Sequence, residues 1–217
     1  MNASMKLAPR SLVAALVAAW VAALAALLGA CASPSPAPVL LTLPPAVSPS
    51  SAAVSPGSAA APAAAPLLVV RRVGVPEYLV ARRVRYRADA ATLAEWPNTY
   101  WAERIEIGVS REFTAALRQQ LPGWAVCDTN CGDQSPALTL QVDLVPMDYQ
   151  RAAQRLQAQA RLSLSRGAAG TQLLQTRQIA YQLAGAADTA QAHAQAISEL
   201  IGQVAVEAAT LVNANKP

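Results

Sequence analysis

Histidine and cysteine, the residues most often found in metal sites and nucleophilic active sites, are scarce in this sequence. Its 217 residues include one histidine, His193, and three cysteines. A zinc site needs three or four ligands within reach of one another, and two neighbouring cysteines with one distant histidine do not supply them. The motifs G-x-S-x-G and H-E-x-x-H and a phosphate-binding glycine loop do not occur either. We therefore expect no enzyme activity, no metal site and no cofactor, with His193 solvated or partly packed.

Charge is also sparse, and it is distributed unevenly. The formal net charge is +4, but Lys6 and Arg10 precede a predicted cleavage site, so the chain that follows it carries about +2. That balance is too weak to indicate nucleic-acid binding. No charged residue occurs in residues 32–66, which are rich in alanine, serine and proline. Such a composition is typical of a flexible or polyproline-like tether.

The N-terminal segment has the organisation of a secretory signal. Lys6 and Arg10 come before an apolar run over residues 12–28, and the run ends in Leu28-Gly29-Ala30-Cys31. A basic start, an apolar middle and a small-residue exit indicate a signal peptide over residues 1–30. The last four residues resemble a bacterial lipobox, in which the cysteine receives lipid and becomes the new N-terminus. A retained transmembrane helix is the alternative, because the run is about long enough to span a bilayer.

Residues 31–66 are predicted to be a lipidated tether that a short strand interrupts. Residues 39–43, with the sequence VLLTL, are apolar and have the composition of a strand. We interpret residues 32–38 as the tether itself and residues 44–66 as a disordered Ala/Pro/Ser excursion. The alternative is that the whole segment is disordered. The domain proper then covers residues 67–217, which is long enough to form one hydrophobic core.

The remaining sequence alternates between strand and helix periods. Strands are expected at residues 67–75, 82–87, 92–96 (before a Pro97-Asn98 turn), 124–127, 138–144 and 158–164, and a last strand ends with residues 179–183. Before Ile179, inward and outward residues do not alternate as a half-buried strand requires, which indicates a bulge or an exposed strand end there. Apolar stripes predict helices over residues 102–121 and 188–213. This order predicts a two-layer α+β domain, with a largely antiparallel sheet and two helices packed on one face. A coiled-coil seam with a partner is the alternative for the last helix.

Two cysteines remain once Cys31 is assigned to lipid. Cys127 and Cys131 form an even pair in what would be an oxidising compartment, so we expect a disulfide between them. A metal site lacks further ligands. A redox-active pair is the other alternative, but the spacing is C-x3-C and not C-x2-C.

Two groups of residues are candidates for a binding surface. The first is the arginine strip, which we define as Arg83, Arg85 and Arg87 on one strand face, with Arg71, Arg72 and Arg82 nearby. It is either a solvated strand face or a contact for anionic headgroups or an acidic partner. The second group lies outside the helices and is either core or partner surface: Tyr78, Leu79, Trp96, Tyr100 and Trp101. The candidate contact residues are therefore Tyr78, Leu79, Arg83, Arg85, Arg87 and Trp101.

Several short motifs resemble the ABC-type transport auxiliary lipoprotein family. They are Val75-Pro76-Glu77-Tyr78-Leu79, Val84-Arg85-Tyr86-Arg87, Trp101-Ala102-Glu103 and Leu121-Pro122-Gly123-Trp124. The lipobox, the strand at residues 39–43 and the final helix also correspond, so the resemblance covers Cys31 to about Asn213. The chain differs from the family pattern in its long Ala/Pro/Ser segment and in its Cys127–Cys131 pair.

The resemblance implies an outer-membrane lipoprotein that faces the periplasm and serves an intermembrane lipid transport system containing MCE-domain proteins. Ala32 is not the aspartate associated with inner-membrane retention, which agrees with this location. The implied mechanism is docking: lipid holds one end of the chain while the domain binds the MCE-domain protein. The alternatives are a carrier with its own apolar pocket for phospholipid and an enzyme built from converging residues. The oligomeric state, including a homo-oligomer, stays open.

Overall fold

A computed structural model describes Trp20 and residues 36–46, 65–128, 131–166 and 171–216. The chain divides into two compact units, residues 1–37 and 38–217, and the described strands all belong to the second. Cys31, most of the predicted signal peptide and most of the Ala/Pro/Ser excursion lie outside the described residues. In the described part of the chain, no helix combines the length and the apolar character needed to cross a bilayer.

The described residues of the second unit contain eight strands and two α-helices, which confirms the predicted α+β class. The strands are β1 (Val39–Leu41), β2 (Leu67–Val70), β3 (Arg83–Arg87), β4 (Leu93–Trp101), β5 (Ala125–Cys127), β6 (Leu138–Gln150), β7 (Arg155–Arg166) and β8 (Gln172–Ala184). The helices are α1 (Ile105–Gln120) and α2 (Ala190–Ala214), and Glu77–Leu79 forms a 3₁₀ turn. The long ladders are antiparallel, whereas β1–β4, β2–β5, β2–β6 and β3–β6 pair in parallel.

Strand β6 organises the sheet. One of its edges pairs with β7 along most of its length. The other edge is shared, because β2 pairs with its beginning and β3 meets its last residue through Arg87 and Gln150. The sheet continues from β3 through β4 to β1, and from β7 to β8. Among the described strands, β1 and β8 are therefore opposite edges of one sheet.

The predicted strand at residues 39–43 is present in a shorter form. Val39–Leu41 pairs in parallel with Thr99, Tyr100 and Trp101 of β4. Leu41 and Leu43 are buried in the core, and the Ser198 hydroxyl of α2 donates a 2.8 Å hydrogen bond to the Pro44 carbonyl. This stretch is therefore part of the domain, and the alternative of a wholly disordered segment is wrong for it.

Both helices bury the apolar stripes that their sequences predict. The stripe of α1 lies in the core with Ile105, Val109, Phe113, Ala116 and Leu117. Helix α2 begins after Thr189, whose hydroxyl accepts a 3.1 Å hydrogen bond from the Ala192 amide. It packs against α1, β7 and β8. The apolar stripe of α2 is thus covered by its own domain, which confirms packing on the sheet and not a coiled-coil seam.

Strand β4 runs past the position where the sequence predicts a turn. Pro97 and Asn98 form an irregularity inside the strand, and pairing with β3 shifts register between Arg83 and Arg85. Asn98 has a φ of 51°, a left-handed conformation that asparagine tolerates better than most residues. The irregularity keeps residues on both sides of it paired, so Trp96 and Trp101 both reach the core.

Three smaller expectations can be compared directly with the structure. The Cys127–Cys131 disulfide is present. The β7–β8 ladder shifts register between Leu164 and Ser165, and residues 175–178 near the start of β8 are exposed, so both the bulge and the exposed strand end offered as alternatives are present. The strand predicted at residues 67–75 is shorter than expected, because it ends at Val70 and only an isolated bridge joins Gly74 to Asp143.

Candidate docking surface

The arginine strip lies on the face of β3 opposite the buried Val84. Each of its three guanidinium groups contacts a carboxylate from a neighbouring strand. The surrounding elements are the 3₁₀ turn, which carries Tyr78, and strands β4 and β6, which carry the acids. We call the strip with these neighbours the docking face: Tyr78, Arg83, Arg85, Arg87, Glu95 and Asp148.

Glu95 of β4 is shared by two members of the strip. Arg83 Nη1 lies 3.3 Å from Glu95 Oε2, and Arg85 Nε lies 3.4 Å from Glu95 Oε1. Arg85 Nη1 also donates a 2.9 Å hydrogen bond to the Tyr78 carbonyl, which ties the strip to the 3₁₀ turn. Arg83 lies over the ring of Tyr100, 5.2 Å from its centroid. These contacts hold the exposed Arg83 and the half-buried Arg85 in place.

Arg87 makes the most sheltered ion pair of the docking face. Its Nε lies 3.0 Å from Asp148 Oδ2, and the two side chains are 21% and 14% exposed. Its Nη2 donates to Asp148 Oδ1 at 3.2 Å, and the Tyr78 hydroxyl donates to the same oxygen at 2.8 Å. Burial and the bond to Asp148 raise the pKa of the Tyr78 hydroxyl above its ordinary value. Tyr78 therefore stays a hydrogen-bond donor at neutral pH.

An irregularity in β6 places Asp148 on this face. Leu138, Leu140, Val142 and Leu144 point into the core by simple alternation, and continued alternation would send Asp148 inward as well. The β6–β7 register shifts between Leu144 and Met147 instead. Met147 and Tyr149 then become the buried residues, and Asp148 points outward to Arg87.

Sequence reasoning did not find the two acidic partners of the strip. Glu95 had a usable signal, because a tight hairpin between β3 and β4 pairs Arg87 with Leu93 and hence Arg85 with Glu95. Asp148 had no such local signal. Its position depends on the register shift in β6 and on the meeting of β3 with β6, two strands far apart in the chain.

Two of the candidate contact residues are not on the surface. Leu79 and Trp101 are buried members of the core, so they cannot touch a partner in this conformation, and the sequence expectation for them is corrected. Leu79 is the buried residue of the 3₁₀ turn. In β4, the irregularity at Pro97 and Asn98 turns Trp101 inward and leaves its neighbour Tyr100 half-buried at the surface. Tyr78, which is also half-buried, remains on the docking face with the strip.

His193 is fully buried, contrary to the expectation of a solvated or partly packed side chain. Its ring stacks on Tyr149 with centroids 4.5 Å apart, and Trp101 approaches it edge-on at 6.3 Å. Its Nδ1 has no hydrogen-bond partner. Burial lowers the pKa of His193 to about 3. The residue is therefore a neutral aromatic member of the core, and it does not face the docking surface.

Arg71 and Arg72 are not part of the docking face. They line a depression of about 300 Å³ beside α1, together with Ile107, Ser110, Arg111, Thr114 and Asp128. In the described part of the chain, no group of three or more His, Cys, Asp or Glu side chains could hold a metal ion. The docking face itself offers charged and phenolic hydrogen-bonding groups, an arrangement suited to binding a partner surface.

Comparisons with known proteins support a common fold. The family model described as "ABC-type transport auxiliary lipoprotein component" matches residues 47–209. A crystal structure of an uncharacterized protein is 20% identical with a TM-score of 0.63, covering 82% of this chain and 99% of its own. A crystal structure from Xanthomonas campestris is 16% identical with a TM-score of 0.58, covering 75% and 93%. These structural similarities show the fold alone. No curated protein matches the chain significantly in sequence.

Proposed function

The chain belongs to the family of ABC-type transport auxiliary lipoprotein components, and we propose that it is the docking component of an MCE-type intermembrane lipid transport system. Cys31 carries the lipid, the outer membrane holds it, and the domain faces the periplasm. The family match over residues 47–209 is the observation that carries this proposal. The lipobox Leu28-Gly29-Ala30-Cys31 supports it independently.

The proposed division of labour separates anchoring from recognition. Each buried lipid methylene contributes about 0.8 kcal/mol, and stable anchoring needs more than one acyl chain. Acyl chains on Cys31 therefore supply the membrane affinity. The domain is left to recognise a protein, for which it needs a specific surface.

The docking face is our candidate for that surface. Its arginines are held by Glu95 and Asp148, and Arg85 also bonds the Tyr78 carbonyl. Side chains that are fixed before binding lose less conformational entropy on association. Arginine and tyrosine are also enriched at the energetic centres of protein interfaces.

The charge balance of the docking face favours a protein partner over a lipid surface. Two carboxylates offset most of the charge of the three arginines. Attraction to anionic headgroups depends on unpaired basic residues and amounts to about 1 kcal/mol for each. A partner that presents matching donors and acceptors can exploit the fixed pattern of both signs instead.

The test is binding of the intact lipidated protein, in detergent solution, to an MCE-domain protein. Arg83→Glu should weaken binding at least about tenfold, or ~1.4 kcal/mol. Arg177→Glu is the matched control, because Arg83 and Arg177 are 50% and 45% exposed and each has one acidic partner on another element. Equal effects of the two variants would remove the docking face as the site. Failure of the unmodified protein to bind any MCE-domain protein would contradict the proposed function.

A further inference from the structure

The start of the domain exposes two adjacent apolar side chains. Val39 and Leu40 of β1 are 42% and 59% exposed, whereas Leu41 is buried. In the described part of the sheet, strand β1 is an edge that pairs with β4 on one side. Exposed aliphatic residues on an edge strand are usually avoided because they invite association. Their presence here, immediately after the tether, calls for a covering surface.

An aromatic and a basic residue extend this apolar pair. Leu40 is directly opposite Tyr100, which is directly opposite Arg83, so the three side chains leave the sheet on the same face. Arg83 holds the Tyr100 ring from one side. Arg82 is exposed, and its carbonyl accepts a 2.7 Å bond from the Trp101 amide, which places it beside the end of β4. Val39 precedes Leu40 in the strand and therefore leaves β1 on the opposite face of the sheet, so the exposed pair flanks the edge itself. We call Val39, Leu40, Tyr100 and Arg82, which surround this edge, the β1 corner.

The composition of the β1 corner is that of a membrane-interface contact. Tyrosine is enriched at the headgroup level, where its ring is apolar and its hydroxyl wet. Arginine lays its stem along apolar surface while its guanidinium reaches phosphates. The two aliphatic side chains leave the edge strand on opposite faces, so a bilayer that meets the edge itself can take both into the boundary between headgroups and acyl chains.

The length of the tether keeps this corner close to the bilayer. Seven residues lie between Cys31 and Val39, and the eight residue-to-residue steps that join them span at most about 29 Å when fully extended. If Cys31 is acylated and lies at the membrane surface, β1 therefore lies within about 29 Å of that surface. The opposite edge of the sheet, β8, is under no such covalent limit.

We infer that the β1 corner rests on the headgroup region of an anionic bilayer and orients the domain there, an inference that depends on the proposed acylation of Cys31. A second copy of this chain is the less favoured occupant, because a stable dimer buries roughly 800 Å² on each partner and this patch consists of four side chains. The β1 corner adjoins the docking face at Arg83, and Arg87 lies at the other end of β3.

The experiment uses the full lipidated chain with a fluorophore on Leu40→Cys. The label goes to one site, because Cys31 is blocked by lipid and Cys127 is bonded to Cys131. Leu173→Cys is the matched control, since Leu173 is a leucine on the opposite edge strand and is 64% exposed. Both proteins are inserted into phosphatidylcholine vesicles containing about one-third phosphatidylglycerol, with or without a headgroup-level doxyl quencher on the lipid.

The expected result is quenching by the doxyl lipid at position 40 that is about fivefold or more stronger than at position 173. Equal quenching at the two positions, in protein that floats with the vesicles, overturns the orientation while leaving the anchor intact. Protection of position 40 from aqueous iodide without doxyl quenching also overturns it, because a second copy or another protein then covers the patch. If the unlabelled protein does not float with the vesicles, both the proposed acyl anchor on Cys31 and the proposed orientation of the domain are contradicted. Val39→Cys repeats the measurement if Leu40→Cys fails to fold.

Discussion

Arg87 and Asp148 are 61 residues apart in the chain and join strands β3 and β6 through contacts of 3.0 and 3.2 Å. The two strands share a single register pair, Arg87 with Gln150. Few backbone hydrogen bonds therefore hold the β1–β4–β3 part of the sheet to the β6–β7–β8 part. At the end of β6, side-chain contacts therefore help to hold these two parts of the sheet together.

Arg151 reinforces the same junction. Its guanidinium lies over Trp96 at 4.4 Å and over Tyr86 at 5.1 Å. It donates to the Tyr86 hydroxyl at 3.1 Å and pairs with Asp188, just before α2, at 2.9 Å. One side chain from the β6–β7 turn thus touches β3, β4 and the approach to α2.

Removal of the Asp148 carboxylate should weaken this junction. Asp148→Ala leaves the sheltered Arg87 guanidinium and the Tyr78 hydroxyl without their acceptor, at an expected loss of about 2 kcal/mol in the free energy of unfolding. Urea unfolding measures it. Asp128→Ala is the control, because the Arg118–Asp128 pair is exposed and its atoms are 3.6 Å apart. A loss below about 0.5 kcal/mol for both variants would contradict a structural role for Asp148.

The burial of His193 predicts a loss of stability in mild acid. Its pKa falls to about 3 in the folded chain and is about 6.5 when unfolded. Between these values the unfolded state binds the extra proton, so stability is complete above about pH 6.5 and declines as the pH falls, by up to ~1.4 kcal/mol per pH unit. Urea unfolding at pH 7 and pH 5 should therefore differ by about 2 kcal/mol.

His193→Phe provides the comparison for that measurement. Phenylalanine keeps an aromatic ring against Tyr149 and removes the only histidine. Carboxylates titrate mainly below pH 5, so the variant should show little change between pH 7 and pH 5. A wild-type protein with equal stability at the two pH values would show that His193 is accessible to protons in the folded state.

Gly185 should not tolerate a side chain. A Cβ at this position would overlap the hydroxyl of Tyr149 and lie 3.2 Å from its ring carbons, and Tyr149 is fully buried. We expect Gly185→Ala to lower the melting temperature, at a cost of about 1–3 kcal/mol. Gly123→Ala is the control, because no atom of the described residues, apart from Gly123 and its two chain neighbours, lies within 4 Å of its Cβ position. Equal melting temperatures for the two variants would mean that Tyr149 can move aside.

Cys31 should be the site of acylation. Cys31→Ala is expected to abolish incorporation of labelled palmitate and to release the protein from membranes, because no other residue would then carry acyl chains. The double variant Cys127→Ala, Cys131→Ala should keep both the label and the membrane association. Intact protein that is water-soluble and unacylated when isolated from its native envelope would contradict the anchoring proposal.

Local pattern was sufficient for most of the secondary structure. The alternation from Leu138 to Leu144 and the stripe from Ile105 to Leu117 each repeat within a few residues, so burial of one face predicts the element. The irregularities escaped this reasoning. Pro97 and Asn98 were expected to end a strand, but tertiary pairing with β3 on both sides of them keeps it going.

The sequence by itself determined which segments become helices and strands, and which two cysteines pair, since these depend on residues close together in the chain. Tertiary structure alone decided which side chains meet on the docking face and that His193 is buried. The register shift in β6 turns Asp148 outward toward Arg87, and α2 places His193 against Tyr149. Contacts of this kind depend on how distant strands align, and a displacement of one residue sends every following side chain to the other face of the sheet.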